Sequence, residues 1–303
     1  MSRKRLTLGT VQFGLPYGVA GRGVPSPEEV DAILETAREL GVRSVDTAAA
    51  YGASEERVGA FLKRRGWPGG LAICTKLPPL DEAATGTGLE GLVADAVESS
   101  LRRLGSERID CYLIHRASDL SRHGRALVEA LLKQRESGRI GRIGVSIYGP
   151  DEAALALDHP EITAVQHPLS LLDRRMVSGG RLRELGSRGV VTYARSIFLQ
   201  GLLVLPPDAL PVRVAHARPA LVELRRLLAD WGVTPLDVAL SFVASTQGVR
   251  HVVVGVDTPE QLRANAAALA RPLPEGLAEA LSGRLEQAPP EVVDPTLWPR
   301  EAP

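Results

Sequence analysis

Eight short β-branched runs, separated by segments of helical period, leave this chain few folds to choose from. The runs cover residues 6–9, 42–46, 71–75, 109–115, 140–146, 163–166, 190–193 and 251–255. Strands that alternate with helices call for a parallel sheet joined by helical crossovers. Eight such units in 303 residues fit a closed (β/α)₈ TIM barrel of roughly 250 residues with modest insertions. An open doubly wound sheet would place a G-x-G-x-x-G turn and a helix start after its first strand. The glycines between Gly9 and Gly23 have neither that spacing nor a following helix start.

The crossovers carry their own start and stop signals. Ser26-Pro27-Glu28-Glu29 supplies a cap oxygen, a proline at the first helical position and a capping-box glutamate. Val30, Ile33, Leu34, Ala37 and Leu40 then recur at helical spacing, and Gly41 provides the left-handed exit. Thr234-Pro235 and Thr258-Pro259 repeat the capped, proline-first start, and Leu89, Leu92, Val93, Ala96, Val97, Leu101 and Leu104 form another stripe. Two segments exceed a simple unit: 195–218, and a C-terminal extension, 272–303, with a helix expected at 277–285. Both can reach the barrel mouth. No linker divides the chain, so residues 1–303 are expected to form one domain.

Composition narrows the functional classes. Lys plus Arg and Asp plus Glu both number 36, giving a formal charge of zero; no global field draws the chain to nucleic acid or an anionic membrane. No continuous apolar run has the length of a signal h-region or a membrane span, and a cytoplasmic protein is expected. The two cysteines, Cys74 and Cys111, lie in apolar strands and are expected to be buried and reduced. The six histidines show no H-x-H or H-E-x-x-H spacing, so a metal-dependent hydrolase lacks its ligand pattern and no metal is expected.

Chemistry concentrates at strand ends. Asp46 ends the second strand in Val45-Asp46-Thr47-Ala48-Ala49-Ala50-Tyr51, Lys76 follows the third, and His115 ends the fourth. In a barrel these positions face the C-terminal mouth, and Tyr51 lies in the loop beside them. Singly, each has a bland reading as cap, packing residue or solvated surface. Together they suit hydride transfer to a carbonyl, which needs a proton donor and fixed dipoles beside the oxygen that gains charge. An ammonium beside Tyr51 would lower the phenol pKa, and Asp46 would hold that ammonium in place.

These segments resemble the aldo-keto reductase family. VDTAAAYGASE is similar to its catalytic aspartate–tyrosine signature, CTK to its lysine strand and CYLIHRASD to its histidine strand. LGTVQFG, GRIGVSIY, AVQHPLSLLDRR and VVVGVDTPEQLRAN resemble its first, fifth, sixth and eighth strand regions. The resemblance implies an NAD(P)H-dependent oxidoreductase reducing an aldehyde or ketone, a sugar derivative among the options. Tyr51 would be the general acid, tuned by Lys76 and Asp46, with His115 orienting the carbonyl.

The same resemblance implies cofactor contacts from Asp46, Ser146, Gln166, Tyr193, Arg195, Gly255, Gln261 and Asn265. Ser146 and Gln166 would hold the nicotinamide amide, Tyr193 would pack on its ring, and the stretch from Gly255 to Asn265 would cradle the adenosine end. Val256 and Asp257 depart from the polar or basic residues common there, so NADPH is expected on family grounds and NADH stays open; Arg263 is a candidate compensating cation. The Arg195-Ser196 pair resembles a variant found beside sugar pathways, and Arg195 and Arg116 could recognise an anionic or polyhydroxylated substrate. Phe13, Tyr17, Tyr148, Phe198 and Trp298 are candidate pocket walls. The rival reading is a non-catalytic barrel that binds NADPH as a sensor or accessory subunit.

Overall fold

The computed structural model describes residues 5–20, 23–80, 87–277, 280–281 and 287–299. Its strands are β1 (Arg5–Gly9), β2 (Ser44–Asp46), β3 (Ala72–Leu77), β4 (Ile109–Ile114), β5 (Ile140–Ser146), β6 (Ile162–Pro168), β7 (Val191–Arg195) and β8 (His251–Gly255). Each pairs in parallel with the next, and β1 with β8, so the sheet closes into a barrel. Helices α1 (Pro27–Glu39), α2 (Ser54–Arg65), α3 (Thr87–Leu104), α4 (Ala117–Glu136) and α5 (Pro150–Leu157) connect β1 through β6 in turn. The short α6 (Arg175–Ser178) and α7 (Arg181–Ser187) lead to β7, α8 (Arg218–Ala229) and α9 (Pro235–Ser245) to β8, and α10 (Pro259–Ala270) follows it. This is a (β/α)₈ TIM barrel. Residues 278–279 and 282–285 of the expected C-terminal helix lie outside the described residues.

The cap chemistry works as the residue types require. Glu29 N–H donates to Ser26 Oγ at 3.2 Å and Ser26 N–H to a Glu29 carboxylate oxygen at 2.7 Å. Val30, Ile33, Leu34 and Ala37 of α1 are buried against the sheet, each large one worth about 1.5–3 kcal/mol in transfer terms. Thr234 and Thr258 cap α9 and α10 by accepting from the N–H groups of Asp237 and Gln261. In α3 the stripe is narrower than its spacing suggests, because Leu92 is 46% exposed.

Strand alternation turns every second residue into the barrel. Cys74, Cys111, Leu113, Ala164, Tyr193 and Val253 fill its interior as one cluster. Gly144 is needed where β5 meets β6 across a register shift: a Cβ there would sit 2.5 Å from both Ala164 O and Leu113 Cδ2. Among the described residues no helix is long and apolar enough to cross a membrane.

Candidate active site

At the C-terminal ends of the strands, five side chains meet. Lys76 lies inside β3 rather than after it, fully buried, and its ammonium donates to both Asp46 carboxylate oxygens at 2.9 Å and to Thr47 O at 2.8 Å. Its Nζ stands 4.9 Å from the centroid of the Tyr51 ring. That ring meets the His115 imidazole edge-on, 5.8 Å between centroids. Gln166 Nε2 donates to Asp46 Oδ1 at 2.7 Å, so β2, β3, the β2–α2 loop, β4 and β6 all contribute to one cluster.

The loop bearing Tyr51 is held by close backbone contact. A Cβ on Gly14 would stand 1.8 Å from Tyr51 O, and one on Gly52, which has φ +54°, would stand 2.4 Å from Gly14 O. Ser54 at the start of α2 donates at 2.8 Å to Thr10 O, and its oxygen lies 3.0 Å from Thr47 Oγ1. Only glycine permits this approach of two loops, and the approach sets the height of the Tyr51 ring above Lys76.

Burial and charge compete over each titratable group. Burial would pull the Lys76 ammonium down, but Asp46, Tyr51 and Cys74 together hold its pKa above the ordinary lysine value. Burial pushes the Tyr51 phenol up, with Lys76 pulling the other way and losing; the expected net lowering by lysine is therefore reversed in this state. Burial, then the charges of Lys76, Arg195 and Arg116, drive His115 down to about 3. The imidazole is neutral near pH 7, and its Nδ1 has no hydrogen-bond partner among the described residues.

Two connected cavities open from this cluster. The longer, of about 280 Å³, runs from Asp46, Tyr51 and Arg195 past Thr10 and Gln12 to Gly255, Asp257, Gln261 and Asn265. The smaller, of about 250 Å³, is lined by Tyr51, His115, Ser146, Tyr148, Arg195 and the tail residue Thr296, among others. Buried acceptors Gln12 Oε1 and Asn265 Oδ1 have no partner among the described residues, so the longer cavity offers unmet acceptors to a ligand with amide or amino donors. A Cβ on Gly255 would come within 2.5 Å of Gln12 Oε1. Its lining, drawn from β1, β2, β6, β7, β8 and α10, suits a ligand that spans several strand ends.

A profile of the aldo/keto reductase family matches residues 5–282. The chain belongs to that family. It is 32% identical over 202 residues to an aldo-keto reductase of Mycobacterium sp. strain KMS, covering 66% of this chain and 70% of the relative. It is 29% identical over 243 residues to one of Mycolicibacterium smegmatis, covering 78% and 79%. An aldo-keto reductase from Bacillus halodurans, solved in its holo form, superposes with a TM-score of 0.77 at 24% identity, covering 94% of this chain and 93% of that one. As a family member the protein is an NAD(P)H-dependent oxidoreductase that uses a nicotinamide cofactor and acts on small carbonyl compounds.

Against this reductase site, several expectations need correction. Tyr193 lines neither cavity. It points into the barrel interior and stacks on His251, ring centroids 4.3 Å apart, while Arg195, two residues on and on the same face, reaches the mouth. Phe13 is fully buried in the core and Trp298 lines neither cavity; Tyr17, Tyr148 and Phe198 do form walls. Arg263 pairs with Glu39 of α1 at 2.8 Å and does not line the longer cavity, and exposed Arg116 lines neither.

Sequence reasoning missed Gln12, Gln200 and Thr296. Ser196, Leu199 and Gln200 adopt left-handed φ of +59°, +48° and +56° without being glycine, and such strained backbone concentrates at functional loops. Its only sequence trace is a loop after β7 longer than a crossover needs. Tyr17 joins both cavities, and burial with the nearby Tyr51 pushes its phenol up to about 12.

Proposed function

We propose that the protein reduces an aldehyde or ketone to an alcohol with Tyr51 as general acid. The single observation that carries this reading is the buried Lys76 ammonium, bonded to Asp46 and facing the Tyr51 ring. The phenol delivers its proton to the carbonyl oxygen as charge develops there, and the ammonium stabilises the phenolate left behind. Asp46 keeps Lys76 charged in a site that would otherwise favour the neutral amine. Neutral His115 donates one ring N–H to orient the carbonyl; protonation would add a second buried cation beside Lys76.

Ser146 and Gln166 would hold the nicotinamide amide, with Gly255, Gln261 and Asn265 along the adenosine end. A bound dinucleotide supplies the hydride. NADPH is the form typical of the family; Asp257 on the cavity wall is the residue that would weigh against a 2′-phosphate. A sensor would have no use for a proton donor poised over a lysine. Steady-state dinucleotide oxidation across a carbonyl panel, in the wild type and Tyr51→Phe, tests the reading, and full activity in the variant would defeat it. Parallel fluorescence titrations with NADPH and NADH decide the cofactor.

A further inference from the structure

Charge does not balance where the two cavities join. Asp46 is matched by Lys76, and Asp257 stands at the far end of the longer cavity. Arg195 lines both cavities, no Asp or Glu lines the smaller one, and Arg195 forms no ion pair with a carboxylate among the described residues. Its guanidinium is nonetheless fixed. One Nη donates to Ile147 O at 3.1 Å and the other to Ser196 Oγ at 3.2 Å, while Cζ lies 4.4 Å from the centroid of the Tyr148 ring.

These bonds use two of the five guanidinium N–H donors and leave the rest for a ligand. A half-buried cation without a counter-charge is costly unless an anion completes it, and the planar fork matches a carboxylate better than it matches a hydroxyl. The neighbours are consistent with that occupant. Neutral His115 brings no competing charge, and Tyr17, Ser146 and Thr296 add hydroxyl groups to the wall. Arg195, Tyr51 and His115 all line this one cavity of about 250 Å³, so an anionic group held by Arg195 and a carbonyl turned to Tyr51 and His115 belong to one short molecule.

We infer that the substrate is a short oxo acid, whose carboxylate is bound by Arg195 while its carbonyl oxygen turns toward Tyr51 and His115. The inference rests on the carbonyl-reducing reading above and adds the class of substrate.

The test compares glyoxylate and succinate semialdehyde with their methyl esters, in the wild type and in Arg195→Met. Calorimetry follows oxamate binding to the dinucleotide-loaded enzyme, and fluorescence follows the dinucleotide itself. In the wild type at least one free acid should exceed its ester by about tenfold or more in kcat/KM, about 1.4 kcal/mol, and oxamate should bind. In Arg195→Met the acid-to-ester ratio should fall toward one and oxamate binding should be lost. Esters that match or beat the acids in the wild type overturn the proposal, as does an acid preference that survives the substitution. A weakened dinucleotide with the acid-to-ester ratio intact also overturns it and gives Arg195 to the cofactor. If no carbonyl compound is reduced, the role given to Tyr51 falls; Arg195-dependent oxamate binding would still uphold the anion site, and its absence would remove it.

Discussion

The barrel holds inward-facing polar side chains at both ends, and the two sets are wired differently. Toward the N-terminal end, Thr7 Oγ1 lies 2.6 Å from Ser44 Oγ and 3.1 Å from His251 Nδ1, and His251 stacks on Tyr193. Those groups satisfy one another and line neither of the two cavities. At the mouth, Asp46 and Lys76 satisfy each other, but His115 Nδ1 and Gln12 Oε1 are left without partners among the described residues. Both sets are polar residues on barrel strands or just beyond them; what separates a stabilising network from a reactive site is whether its hydrogen-bonding capacity is spent internally.

Breaking the mouth should cost chemistry first. Tyr51→Phe is expected to lower kcat/KM by about 10²–10⁴-fold, the range for loss of a general acid, with an unchanged melting temperature; steady-state kinetics and calorimetry check the pair. Lys76→Met strands the buried Asp46 carboxylate, and urea unfolding should show a loss of about 3–5 kcal/mol. At the other end, Thr7→Val removes a shared hydroxyl and leaves buried partners unmet, costing about 1–3 kcal/mol while kcat/KM stays near wild type.

The smallest effects sharpen the contrast. Tyr193→Phe should leave the dinucleotide Kd within about twofold by fluorescence titration, because the residue lines neither cavity. Between about pH 6 and 9 the reduction rate should show no inflection from either group, since His115 is already neutral and Tyr51 still carries its proton. His115, held down to about 3 against an ordinary 6.5, binds no proton in the folded state between those two values, whereas the unfolded chain does. Stability therefore falls as pH drops from 6.5 toward 3 and is unaffected by this group above it.

How much of this was legible beforehand depended on whether a feature is local. Capping residues such as Ser26 and Thr258 act within one turn, so their helices could be read directly. The Asp46–Tyr51 segment was readable because strand end and loop are contiguous in the chain. Tyr193 and Arg195 were not separable in the same way. Both face inward on β7, and which one reaches the mouth depends on the register with β6 and β8, where Gln166 pairs with Tyr193 and Tyr193 with His251. Lys76 carried the same uncertainty by one residue, because β3 continues to Leu77. The direction of the Tyr51 shift was hidden too, since burial emerges only once the barrel closes.

The tail described above separates the two cavities along the chain. Every residue on the wall of the longer cavity precedes position 266, whereas the smaller one borrows Pro295 and Thr296, anchored through Gln287 on Leu172 O and Glu291 O beside His216. Substitution of Pro295 or Thr296 therefore reshapes the smaller cavity and leaves the lining of the longer one as it is.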